Sequence, residues 1–234
     1  MPERSLILGV LGGMGPAATV EFLAKVQAYT PADADQDHIR VIADINPKVP
    51  DRNTPGSNAG TVLSEMAGAL RGAGAEVLAM PCNTAHAHAD LIQRASGLPL
   101  IDLIQLGAEA AGRTGAMRAG VLGTKGALKL YREYLAAHAM GLVALPPERQ
   151  EQFMVTLYRI KSGDLGPDVR REMREHAEAL RGLGAEVLIA GCTEVPLVLE
   201  PGDTRLELID PGDLLARRCV AVCLGWESIP HLPA

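Results

Sequence analysis

LRGAGAEVLAMPC at 70–82 and LRGLGAEVLIAGC at 180–192 are the two stretches that decide how this chain folds. They share LRG, GAEVL and the closing cysteine, and Cys192 follows Cys82 at a distance of 110 residues. GVLG at 9–12 returns at 120–123, each time followed by a further glycine, Gly15 or Gly126, and LID at 100–102 returns at 208–210. Ordered matches at one long spacing mean two copies of a unit of about half the chain, far longer than a solenoid repeat.

Each copy has the same texture: a short apolar run, a Gly-rich turn, a helical stretch, then an apolar run that ends in the cysteine. Strands are expected at 5–11, 39–45, 77–80 and 98–101, and helices at 17–28 and 62–72. The second copy offers strands at 119–122, 141–144, 187–190 and 206–209, and helices at 128–139, 148–160 and 168–182. Strands alternating with helices predict an α/β fold of two pseudo-symmetric parallel-sheet domains. The expected boundaries are 1–101 plus 211–234 for the first domain and 102–210 for the second. In such sheets ligands sit beyond the carboxyl ends of the strands, and both cysteines fall there. Two copies facing one another would bring Cys82 and Cys192 to opposite sides of one cleft.

The chain has 234 residues, 47% of them hydrophobic, enough for two cores. Its formal charge of -6 is spread out and no basic stretch occurs, which argues against nucleic acid as a partner. No apolar run reaches the roughly 18 residues of a membrane span, and Met1 to Val10 is too short for a signal peptide, so a cytoplasmic location is expected. There the four cysteines would be free thiols.

Two thiols can serve as opposed acid and base at an amino-acid α-carbon, because inversion needs a base on one face and an acid on the other at once. A free thiol titrates near pH ~8.5, and a strand end just before a helix lowers that value. Asn83 and Thr84, or Thr193 and Glu194, are suited to begin a helix, and their N–H groups and side chains suit an α-carboxylate. Cys219 and Cys223, four apart on an apolar stretch, read as core. Gly13-Met14-Gly15-Pro16-Ala17-Ala18 fits a loose dinucleotide fingerprint, but the acidic partner would fall at 33–37 in a polar loop, so it reads as a tight turn with Pro16 in the first helical turn. His86 and His88, two apart, would point to different sides of a helix, which speaks against a metal site. No cofactor and no metal are expected.

LGVLGGMGPAAT (8–19), PDRNT (50–54), MPCNTAH (80–86), IKSG (160–163) and GCTEVP (191–196) together resemble the aspartate/glutamate racemase family in its pyridoxal-independent aspartate racemase branch. The resemblance covers the whole chain in order. It implies two pseudo-symmetric α/β domains, no cofactor, a homodimer, and racemisation of a small dicarboxylic amino acid by Cys82 and Cys192. It further implies that Asn83, Thr84 and Thr193 bind the α-carboxylate and that Arg52, with Asn53 and Thr54 beside it, and Lys161 hold the side-chain carboxylate. The loop of Met14 and Gly15 would close the cleft, Thr124 occupies the matching loop of the second copy, and Glu194 is either a capping carboxylate or part of a proton network. Rival readings are a related isomerase or decarboxylase, a thiol redox sensor pairing the two cysteines, and a non-catalytic binder of small carboxylates.

Overall fold

The computed structural model describes residues 5–54 and 56–232, so the outermost ends of the first expected domain, 1–4 and 233–234, lie outside the described residues. The chain forms two compact units. One runs through Leu103 and resumes at Gly212; the other is Ile104–Pro211.

In the first unit the parallel strands β1 (Leu8–Gly12), β2 (Val41–Ile45) and β3 (Val77–Ala79) lie in the order β2-β1-β3, with Leu8 opposite both Val41 and Val77. Helices α1 (Pro16–Tyr29) and α2 (Ala59–Gly72) are the connections, followed by α3 (Ala89–Ser96). Every residue of β1 is buried, as expected for a strand covered on both faces. Leu63, Met66, Leu70, Leu78 and Met80 pack with Cys82 in one apolar cluster.

The second unit opens with α4 (Leu103–Arg113) and continues through β4 (Arg118–Val121), α5 (Lys125–Ala137), β5 (Gly141–Val143), α6 (Pro147–Lys161), α7 (Pro167–Gly182), β6 (Val187–Ile189) and β7 (Leu208–Ile209). Its four parallel strands run β5-β4-β6-β7, and α8 (Pro211–Cys223) carries the chain back to the first unit. Phe153, Leu157, Met173, Leu180 and Leu188 form a cluster that includes Cys192. Full burial of one such side chain is worth about 1.5–3 kcal/mol.

The duplication extends to atomic detail. A Cβ on Gly9 would meet Ala75, Leu78 and Leu70; one on Gly120 would meet Ala185, Leu188 and Leu180, the same three residues 110 positions on. The Ile7 N–H is bound by the Glu76 carboxylate at 2.9 Å, and the Met117 N–H by that of Glu186 at 2.6 Å. Gly74 and Gly184, the first glycines of the two GAEVL strings, have φ of 103° and 91°, which lets each chain turn from helix into strand.

Two expectations change. The strand expected at 98–101 is a single bridge between Leu78 and Leu100, held by the Leu78 N–H on the Pro99 carbonyl at 2.8 Å and the Ile101 N–H on the Leu78 carbonyl at 2.9 Å. Its counterpart at 206–209 is the two-residue strand β7. The helices expected directly after the cysteines start as 3-10 turns, Thr84–His88 and Val195–Leu197, and neither Asn83 nor Glu194 caps its turn with its side chain. Only the first continues as an α-helix, α3; the second ends at Val198, whose φ of -134° leaves the helical region.

Candidate active-site residues

In the first unit the loop after β1 is tied to its own helix. The Thr19 hydroxyl accepts the Gly13 N–H at 2.9 Å and donates to the Gly15 carbonyl at 3.0 Å, and Met14 is buried between. Gly13 sits at φ 92°, and a Cβ there would lie 2.4 Å from the Asn46 backbone. This is the tight strand-to-helix turn expected at 13–18, with Pro16 as the first helical residue.

Cys82, Asn83 and Thr84 are all buried at the end of the β3 segment. The adjacent His86 bridges the loop. Its Nδ1 lies 2.9 Å from the Cys82 carbonyl, and its Nε2 lies 3.1 Å from the Leu103 N–H, whose donor must be accepted. Nε2 is therefore the acceptor, and Nδ1 carries the proton that it donates to the Cys82 carbonyl. With both ring nitrogens occupied, His86 is a clamp on the backbone of Cys82. Among the described residues no group of three or more His, Cys, Asp or Glu is placed to hold a metal ion.

Arg52 donates from Nη1 to the Pro50 carbonyl at 3.3 Å, and its Nε is buried with no hydrogen-bond partner among the described residues. It lies close enough to act on His88, whose protonation is pushed down first by burial and then by the Arg52 charge. The PDRNT loop is thereby placed beside the turn that follows Cys82. Asn53 and Thr54 are exposed, and the Asn53 amide is folded back on Asp51 at 3.1 Å.

In the second unit the Thr124 hydroxyl caps α5, accepting the Ala127 N–H at 3.3 Å. Gly191 packs so tightly against the neighbouring loop that a Cβ would lie 2.6 Å from Val121 and 3.3 Å from Gly123. The Gly123 carbonyl is held by Gln150 Nε2 at 2.9 Å. Gln150, buried on α6, thus fixes the loop against which Cys192 is hung, a role that no motif announces.

Cys192 is buried and its Sγ donates to Glu194 Oε2 at 2.8 Å. The other oxygen of Glu194 takes the ammonium of Lys161, at the last turn of α6. Glu194 is 1% exposed, and Thr193 between the two is half-buried. Lys161, Glu194 and Cys192 are therefore one connected group.

The remaining cysteines are inert by environment. Burial pushes Cys219 well up, with the Cys223 charge adding to it, and Cys223 is pushed up to about 12 by burial and by Glu76. They belong to the core, as their spacing implied.

Residues 11–219 match the family model described as Asp/Glu/Hydantoin racemase. The chain belongs to that family. It is an amino-acid racemase, an isomerase. It is 24% identical over 237 residues to the broad specificity amino-acid racemase RacX of Bacillus subtilis (strain 168), a match covering 95% of this chain and all of the relative. Against the glutamate racemase of Synechococcus sp. (strain CC9605) it is 32% identical over 194 residues, 80% of this chain and 71% of the other. The aspartate racemase of Picrophilus torridus has the same fold, with a TM-score of 0.80 over 96% of each chain at 24% identity. Among the described residues of this racemase, no helix is long and apolar enough to cross a membrane.

Proposed function

We propose that this racemase interconverts L- and D-aspartate, or a close acidic amino acid, with no cofactor, by passing the α-proton between Cys82 and Cys192. The observation that carries the reading is the repeat: two cysteines in corresponding positions, each buried where a β-segment ends and a 3-10 turn begins. The other two cysteines have environments that keep them protonated.

One thiolate removes the α-proton from one face while the other thiol delivers its proton to the opposite face. The S–H and S⁻ roles are then exchanged, so the enzyme is ready for the reverse conversion. The charge that builds up at the α-carbon spreads onto the α-carboxylate, where donors from Asn83, Thr84 and Thr193 stabilise it. The cations Arg52 and Lys161 hold the side-chain carboxylate, and the loops of Met14, Gly15 and Thr124 close over the substrate. The unsatisfied buried Nε of Arg52 supports its part, since a planar guanidinium gains most from a carboxylate that uses two N–H donors. The names of the relatives span aspartate, glutamate and broad-specificity racemases, and an acidic substrate is the reading that uses both cations.

The test is racemisation in deuterated water with enzyme first dialysed against a chelator. Single enantiomers of aspartate, glutamate and alanine are supplied, followed by chiral separation and mass analysis. The reading expects the opposite enantiomer of an acidic amino acid, carrying one deuterium at the α-carbon. Product without deuterium, or activity that depends on added zinc or pyridoxal phosphate, would overturn it.

A further inference from the structure

One carboxylate in the second unit is shared between a thiol and an ammonium. Glu194 accepts the Cys192 S–H on Oε2 and the Lys161 ammonium on Oε1, with its side chain only 2% exposed against 24% for that of Lys161. An anion so far from water needs such partners. In return it acts on the thiol in two ways. Ionising Cys192 would break an S–H···O⁻ hydrogen bond 2.8 Å long, and it would set a second negative charge against the first. Both effects hold the proton on sulfur. The Lys161 charge, on the far side of the same carboxylate, works against them.

The first copy is built differently at this position. The residue that corresponds to Glu194 is Thr84, which is neutral, and the His86 ring binds the carbonyl of Cys82. The duplication is therefore broken where it would matter for a proton.

We propose that Glu194 is the proton keeper of Cys192 and that Lys161 sets how firmly the proton is kept. In the free enzyme Cys192 then holds its proton and serves first as the acid. When the side-chain carboxylate of an acidic substrate draws Lys161 away from Glu194, the proton is held more tightly still. The acidic side chain then governs proton delivery as well as binding. This rests on the two-cysteine reading and adds the order in which the cysteines act.

The test follows the alkylation of each cysteine separately by iodoacetamide, which forms a thioether with the thiolate and releases iodide. Rates are read by peptide mass across a pH series in the wild type, Glu194→Gln and Lys161→Met. At neutral pH, Cys192 should react about tenfold faster in Glu194→Gln, the effect of roughly one pH unit for one adjacent charge, and several-fold slower in Lys161→Met. Cys82 should keep its wild-type profile in both variants, which also shows that they fold. A carboxylate that only braces the loop would move both variants in the same direction or neither, and either result overturns the proposal. Should the Gln variant fail to fold, the Lys161→Met arm, at a partly exposed residue, decides by its sign. Turnover is not part of the readout. If alkylation behaves as expected while Cys192→Ala still racemises, the two-cysteine reading fails and the role of Glu194 stands.

Discussion

The two units repeat one another most closely under the sheet and least closely around the thiols. Gly9 and Gly120 face the same three neighbours, and Glu76 and Glu186 hold equivalent N–H groups. Yet Cys82 is followed by Asn83, Thr84 and a histidine that clamps its carbonyl, whereas Cys192 is followed by Thr193 and a carboxylate on its sulfur. Packing is constrained by shape, and the same shape is needed twice, so the core stays symmetric. A racemase must treat mirror-image substrates with groups that are not mirror images. Its two acid/base residues can therefore differ in environment while each serves one face.

The largest effect tests whether the two cysteines form one relay. Cys82→Ala and Cys192→Ala should each lower racemisation at least about a thousandfold, within the range of a lost acid/base group. Each variant retains one thiol, so in deuterated water the Cys82 variant should exchange the α-proton of one enantiomer with retention and the Cys192 variant that of the other. Both variants exchanging the same enantiomer would mean that the cysteines do not face opposite sides of the α-carbon.

The symmetric part of the comparison is tested by adding one methyl group at matched sites. Gly9→Ala would put a Cβ 2.8 Å from Ala75 Cβ, and Gly120→Ala 2.9 Å from Ala185 Cβ, both on buried strands. Each should cost about 1–3 kcal/mol of stability by overpacking, with racemase activity per folded molecule little changed. Urea denaturation followed by circular dichroism measures both. A cost at one site only would show that the two cores are less alike than their neighbours imply.

The repeat made the fold legible before any coordinates, because it fixed which apolar runs were equivalent and where the cysteines lay on them. Strands and helices from β1 to α7 fall close to the expected spans. No span was expected for α4 and α8, which follow the two LID strings, and the helix expected to begin after Cys82 starts as a 3-10 turn before α3. One expected strand is only a bridge between Leu78 and Leu100. At the candidate site the cysteines and Glu194 were visible in sequence, but the bonds among Cys192, Glu194 and Lys161 were not, since residues 33 apart meet only through the packing of α6. Gln150 and the backbone clamp of His86 could not have been found from motifs at all, because both act on main-chain carbonyls that any residue supplies.

The smallest effect separates the units by one histidine in each whose proton affinity is lowered. His88 in the first and His176 in the second are both held below the ordinary histidine range, chiefly by burial, with a further contribution from Arg52 at His88 and from Arg149 at His176. Such a histidine is neutral in the folded protein and takes up its proton more readily when unfolded. Its contribution to stability is full above the unfolded value near pH ~6.5 and is lost as pH falls from there toward the depressed folded value. One such group gives a slope of at most about 1.4 kcal/mol per pH unit in that window. His176 is 5% exposed, its Nδ1 has no hydrogen-bond partner among the described residues, and Phe153 packs edge-on at 5.7 Å; His88 is only half-buried. His176→Gln should therefore flatten the acid limb of the stability curve more than His88→Gln, measured as urea midpoints between pH 7 and pH 5. The reverse order would mean that the charge of Arg52 outweighs burial at His88, and that the loop carrying Arg52 presses harder on the Cys82 turn than its single ordered hydrogen bond to Pro50 indicates.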